Sequence, residues 1–126
     1  MIGQIYTCTV EFYDSRQHKL AWKGRPILII GGPRNNDYTV LPISTISKRE
    51  YLDVDFDVEI DPQVYPASAL GLSRVSYVRV HKQLTVHQAK LGHFIGDLRG
   101  SNPELFESIM KKLDTWNELI QKECMN

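Results

Sequence analysis

The chain of 126 residues has the length of one domain. Its content of 42% apolar and 24% charged residues is that of a soluble globular domain; this excludes a disordered chain, whose apolar surface would not offset the entropy of ordering. Fifteen Lys and Arg balance fifteen Asp and Glu, which argues against a protein that coats nucleic acid over its whole surface.

The two cysteines, Cys8 and Cys124, do not make a disulfide scaffold and suit a reducing compartment. No apolar run approaches the roughly 20 residues of a membrane helix. The start Met1-Ile2-Gly3-Gln4 is not that of a signal peptide, so a cytoplasmic protein is expected. Charge is unevenly placed. From Asp14 to Arg34 there are five bases against one acid, and from Asp53 to Asp61 five acids and no base. A neutral protein with such a local positive field attracts a polyanion to one groove, although the same pattern fits two ordinary solvated faces.

No repeat, low-complexity tract or linker appears, so residues 1–126 are expected to form a single domain. Gln4 to Phe12 alternates, with Tyr6, Cys8, Val10 and Phe12 on one face, and reads as a strand. Asp14 to Gly24 reads as a long polar loop carrying Arg16, His18, Lys19 and Lys23. Arg25 to Ile30 is a strand buried on both faces, with Pro26 at its start and Gly31-Gly32-Pro33 at its end. Arg34-Asn35-Asn36-Asp37 is turn chemistry. Tyr38 to Ile43 is a third strand, irregular or at an edge near Pro42, with Ser44 and Thr45 at its end.

Leu52 to Ile60 alternates cleanly: Leu52, Val54, Phe56, Val58 and Ile60 face inward, and Asp53, Asp55, Asp57 and Glu59 face solvent. Asp61 to Gly71 is loop-like. Ser76 to His81 is a strand whose one face carries Tyr77, Arg79 and His81. Leu84 to Leu98 combines a helical turn near His87 with a short strand around His93–Ile95. A terminal helix follows, with a Ser101–Glu104 capping box and an apolar face of Leu105, Ile109, Leu113, Trp116 and Ile120. Strands followed by one helix predict a mainly β (α+β) domain, a small barrel or antiparallel sheet.

The chemistry-bearing residues are few. His18, His81, His87 and His93 have no partners at metal-ligand spacing, so no metal and no cofactor is expected. Arg79 and His81 on one strand face lie close enough to act on one phosphate: the guanidinium fork fits phosphate oxygens and the imidazole titrates near neutrality. The same pattern fits an Arg79 paired with a carboxylate of the acidic strand and a His81 at the surface.

Taken in order, Gln4-Ile5-Tyr6, Gly24-Arg25-Pro26-Ile27-Leu28-Ile29-Ile30, Leu41-Pro42-Ile43-Ser44, Ser76-Tyr77-Val78-Arg79-Val80-His81-Lys82 and Lys90-Leu91-Gly92 before a terminal helix make the chain resemble the MazF/PemK toxins of bacterial toxin–antitoxin modules. The resemblance covers nearly the whole chain and implies a small SH3-like β-barrel with a long C-terminal helix, forming a homodimer. It implies an endoribonuclease that cleaves single-stranded RNA, often mRNA, at short motifs without a metal, by attack of the 2′-hydroxyl to leave a 2′,3′-cyclic phosphate and a 5′-hydroxyl. It also implies a small antitoxin partner with an acidic tail.

By the same resemblance Arg25 matches the family's strand-start arginine, a phosphate binder and transition-state stabiliser. Ser44 matches a position usually held by Thr, with Thr45 as an adjacent hydroxyl. Arg79 matches a second arginine of the PemK branch, and His81 stands where that branch has an acid, as a candidate proton acceptor. Catalysis is thus expected of Arg25, Ser44, Arg79 and His81, and RNA binding of His18, Lys19, Trp22, Lys23, Thr45 and Lys82. The chain departs from the family in having Gly24-Arg25 in place of an Arg-Arg pair, and Trp22 and Lys23 where glycines are common. Trp22 in a polar loop stacks on a base or covers the barrel end. The alternative is a non-catalytic binder on the same barrel, similar to the CcdB gyrase poisons.

Overall fold

The computed structural model describes residues 1–66 and 70–126. Among the described residues seven strands are formed: β1 (Gln4–Asp14), β2 (Lys19–Arg34), β3 (Asp37–Ser44), β4 (Asp57–Ile60), β5 (Ser76–Arg79), β6 (Leu84–His87) and β7 (Leu91–Asp97). They pair in the order β4-β5-β3-β2-β1-β7, with β6 on β3. Every pairing is antiparallel. A helical turn (Leu98–Ser101) leads into the long helix α1 (Pro103–Met125). The α+β class is as expected, but among the described residues the ladder ends at β4 and β7 and does not close into a barrel.

Two apolar clusters lie on the two sides of this sheet. Ile5, Leu28, Leu41, Ile43, Val78 and Val80 meet Leu105 and Ile109 of α1. Cys8, Val10, Ile27, Ile29, Tyr38, Val40 and Val86 form the other. Residues of β2 alternate between the clusters, which is why Ile27–Ile30 reads as an unbroken apolar run. Ile5, on the other face of β1 from Cys8 and Val10, is fully buried in the first cluster. The side chain of Phe12 and residues 67–69 of the Asp61–Gly71 loop lie outside the described residues.

The expected loop at Asp14–Gly24 is corrected by the structure. Residues 15–18 make a turn, and Lys19–Gly24 belong to β2, paired with β1 out to Asp14↔Lys19. Asp14 Oδ1 accepts the Arg16 and Gln17 amides at 2.9 and 3.3 Å and closes the turn. This end of the hairpin projects from the core. Its β2 residues are wet: Leu20 and Trp22 alternate with Lys19 and Lys23 and yet are 65% and 59% exposed. At the other end of β2, Asn35 and Asn36 take positive φ, as a two-residue hairpin turn requires.

Pro42 sits where β3 changes partner: its residues up to Val40 pair with β6 and those from Ile43 with β5. A residue without an N–H fits that gap in the ladder. The acidic strand is shorter than expected. Asp53 Oδ1 accepts the Asp55 and Phe56 amides at 3.0 and 3.1 Å, folding residues 53–56 into a turn and leaving Val54 80% exposed. β5 also stops early, at Arg79, and Val80–Lys82 form a 3-10 turn, so His81 does not share the strand face of Tyr77 and Arg79.

Asn102, not Ser101, caps α1, its Oδ1 accepting the Leu105 amide at 3.2 Å, and Pro103 opens the first turn. Trp116 packs edge-on against Phe56, with ring centroids 5.0 Å apart. The helix beyond Trp116 is exposed, including Ile120, which was expected on the packed face. Among the described residues no helix is long and apolar enough to cross a membrane.

The cysteines differ in environment. Burial pushes the Cys8 thiol up, partly opposed by the Lys90 charge, whereas Cys124 is exposed. A thiol reagent at neutral pH is therefore expected to label one cysteine per native chain and two in denaturant. Rapid native labelling of Cys8, read by peptide mass, would contradict this packing.

Candidate active site

The cleft is built from the middle of β2 and the ends of β3 and β5. β2 delivers Arg25 opposite Cys8 of β1, β3 delivers Ser44, and β5 delivers Arg79 next to the 3-10 turn carrying Lys82. Arg25, Ser44, Arg79, Lys82 and Glu11 line one cavity of about 280 Å³, with Val10, Pro42 and Leu84 as its apolar wall. That is near the lower end of ligand-pocket volumes. Three cations and one carboxylate make it a place for an anion.

Arg25 Nη1 donates to Ser44 Oγ at 3.3 Å, which fixes the hydroxyl beside the guanidinium. Arg79 is held more firmly. Its Nε donates to Asp57 Oδ1 at 3.0 Å, and its Nη2 reaches Asp57 Oδ2 at 3.4 Å and the Tyr51 carbonyl at 3.1 Å. The Asp57 side chain is 0% exposed and that of Arg79 16%. Asp57, expected on the solvated acidic face, is thus the buried anchor of a cleft arginine. The pairing of Arg79 with a carboxylate of the acidic strand is what the structure shows, and the guanidinium still lines the cleft.

His81 is not among the residues lining this cleft. The expected convergence of two guanidinium groups and an imidazole is met by Arg25 and Arg79 without His81. Turned by the 3-10 geometry, its ring packs edge-on to Trp116 at 6.1 Å and near Phe56 at 6.4 Å. Its nitrogens lie 3.9 Å from Asp53 Oδ2 and from Asp57 Oδ1, and its side chain is 14% exposed. Among the described residues the buried Nδ1 has no hydrogen-bond partner. A chain of contacts therefore runs from α1 through Trp116, His81 and Asp57 to Arg79. Lys112 of α1 joins the same segment by donating to the Asp55 carbonyl at 2.7 Å. Beside Arg79 on β4–β5, burial and then the Glu59 charge push the Tyr77 phenol up.

Lys23 and Thr45 line a smaller groove that shares Arg25 and Ser44 with the cleft. Trp22 lines a third cavity that shares Val10, Glu11 and Leu84 with it. His18, with positive φ, and Lys19 sit at the exposed hairpin tip and line none of these cavities. Among the described residues no three His, Cys, Asp or Glu side chains gather as metal ligands. Sequence reasoning missed Glu11, Lys90 and the anchoring role of Asp57. The signal for Glu11 was its cross-strand pairing with Trp22, hidden by reading 14–24 as a loop.

Among solved structures, the chain is similar to an endoribonuclease in complex with its cognate antitoxin from a mycobacterial species, at 21% identity over 94% of this chain and 95% of that one, with a TM-score of 0.64. It is similar to a second mycobacterial endoribonuclease at 19% identity over 94% and 90%, with a TM-score of 0.62. The Mycobacterium tuberculosis toxin MazF-mt6 matches at 25% identity over 88% and 96%, with a TM-score of 0.56. No curated protein matches the chain in sequence. The family model of PemK-like, MazF-like toxins of type II toxin–antitoxin systems matches residues 2–116, and the chain belongs to that family.

Proposed function

We propose that this chain is a toxin endoribonuclease that cleaves single-stranded RNA, mRNA included, at short sequence motifs by metal-independent attack of the 2′-hydroxyl. The observation that carries the reading is the single cleft lined by Arg25, Ser44, Arg79 and Lys82. In the reaction O2′ attacks the adjacent phosphorus and the bond to O5′ breaks. The 2′-hydroxyl loses its proton and O5′ gains one, giving a 2′,3′-cyclic phosphate and a 5′-hydroxyl. The pentacoordinate phosphorus carries more negative charge than the ground state. Arg25 and Arg79 face that charge with donors already in place, and preorganisation of this kind supplies most of the rate enhancement in many enzymes. Ser44, positioned by Arg25, hydrogen-bonds the phosphate.

Lys82, Lys23 and Thr45 carry the neighbouring phosphates, and Trp22 takes a base. His18 and Lys19 meet RNA further out on the hairpin. His81 enters this reading behind Arg79, through Asp57, and not as the group that receives the proton. The basic cleft equally suits the acidic tail of a small cognate antitoxin, and a homodimer places two such clefts in one particle. The similarity to an endoribonuclease bound to its antitoxin supports the partner reading.

The test is a defined transcript incubated with the purified protein in excess EDTA, with both new ends mapped. Cleavage is expected to continue in EDTA and to leave cyclic-phosphate and 5′-hydroxyl ends. Loss of cleavage in EDTA, or 3′-hydroxyl ends, would overturn the mechanism.

A further inference from the structure

We propose that the cavity walled by Trp22 is a guanine-binding subsite, with the indole as stacking surface and the Glu11 carboxylate as reader of the base edge; it rests on the reading of the adjoining cleft as an RNA site. The cavity measures about 190 Å³, several times the ~30 Å³ share of one water. It shares Val10, Glu11 and Leu84 with the cleft of Arg25 and Arg79. A nucleotide whose base enters it therefore brings its phosphate to the cationic side.

Trp22 is 59% exposed, and Lys90 Nζ lies over its ring, 5.1 Å from the centroid. An exposed indole is a surface on which an unpaired base stacks, whatever its identity; a base stacking on the face that Lys90 covers displaces its flexible arm. Identity comes from Glu11. It stands directly opposite Trp22 in the β1–β2 ladder, where cross-strand side chains are about 5 Å apart at Cβ. Among the described residues no hydrogen bond or ion pair engages its carboxylate.

An ionised carboxylate only accepts, and its two oxygens lie in one plane. Guanine alone among the RNA bases offers two adjacent donors on its Watson–Crick edge, N1–H and the N2 amino group. Adenine and cytosine set a ring acceptor beside their amino group, and uracil flanks N3–H with two carbonyls. Each of these turns an acceptor toward the carboxylate and is repelled. The charged acceptor strengthens the two guanine bonds. Lys90, lifted from the indole face by the base, is a donor for the guanine O6 or N7 acceptors.

The experiment titrates the full-length protein, labelled with ¹⁵N, with guanosine, adenosine, cytidine and uridine 5′-monophosphates. The Trp22 indole N–H resonance, assigned with Trp22→Phe, reports the site, and the Trp116 resonance reports the fold. Guanosine monophosphate is expected to bind at least about tenfold more tightly than the other three, the discrimination of one good bidentate pair. Glu11→Gln is expected to abolish that preference, because its amide sets a donor against the guanine donors. Equal binding of the four nucleotides, no movement of the Trp22 signal, or a preference that survives Glu11→Gln would overturn the subsite. Selectivity in a protein that cuts no RNA would keep the subsite and reject the nuclease reading. Cleavage without selectivity would do the reverse.

Discussion

Arg25→Ala is expected to lower the rate of RNA cleavage by about 10²–10³-fold, the cost of removing one preorganised donor from a site of developing charge. The loss should fall on kcat, with KM nearly unchanged, if the guanidinium binds the transition state more strongly than the substrate. The same change removes the donor that orients Ser44, since Arg25 Nη1 bonds its hydroxyl at 3.3 Å. Ser44→Ala alone should cost less, about 10–10²-fold, because a hydrogen bond to a charged phosphate contributes about 1.5–3 kcal/mol. Arg25→Lys keeps the charge but not the planar fork, and should fall between wild type and alanine. Circular dichroism must show the native spectrum in each variant. Full cleavage by a folded Arg25→Ala protein would remove this arginine from the chemistry.

Much of the architecture was legible because it obeys simple periods. The continuous Ile27–Ile30 run, the Asn35-Asn36 turn and the apolar face of α1 through Trp116 each have one physical solution. The hairpin end at 19–24 was not legible, because its Leu20–Trp22 alternation is short, sits among Arg16, Lys19 and Lys23, and buries neither side chain. That one error hid the pairing of Glu11 with Trp22 and placed Trp22 in a loop. The acidic segment failed for a different reason. Its alternation is real in sequence, but the Asp53 side chain captures two backbone amides and bends the chain. Local side-chain bonds of that kind compete with strand pairing.

The candidate site divides in the same way. Arg25, Ser44 and Arg79 were picked out because each borders a recognisable apolar run, although Arg25 lies within β2 and not at its start, and all three line one cleft. His81 was expected with Arg79 because residues two apart share a strand face. The strand stops at Arg79, and one 3-10 turn carries the imidazole to the Trp116 side. Where a short strand ends is decided by its partner, here four-residue β4, and that is a tertiary matter.

Asp57→Ala is the substitution expected to cost the fold most. Asp57 Oδ2 accepts the Asp53 amide at 2.8 Å, while both oxygens hold Arg79. Removing it leaves Arg79, whose side chain is 16% exposed, with only the Tyr51 carbonyl among the described residues. Breaking a buried ion pair from one side costs about 3–5 kcal/mol, a large share of the roughly 5–15 kcal/mol that holds a domain. Some water reaches the arginine, so the lower end of that range is expected. Asp55 is the control. It lies on the same acidic segment, is exposed, and its carboxylate enters no hydrogen bond or ion pair among the described residues; Asp55→Ala should stay within about 0.5 kcal/mol of wild type.

Urea midpoints separate the two cases. The Asp57→Ala, Arg79→Ala double variant should lose less than the sum of the singles, with a coupling of about 0.5–3 kcal/mol. Asp57→Asn, which keeps the shape and one acceptor, should fold and yet cleave RNA more slowly, because Arg79 is then less firmly aimed. If Asp57→Ala proves as mild as Asp55→Ala, the carboxylate is not the anchor of Arg79, and the contact chain from α1 through His81 has nothing to act upon.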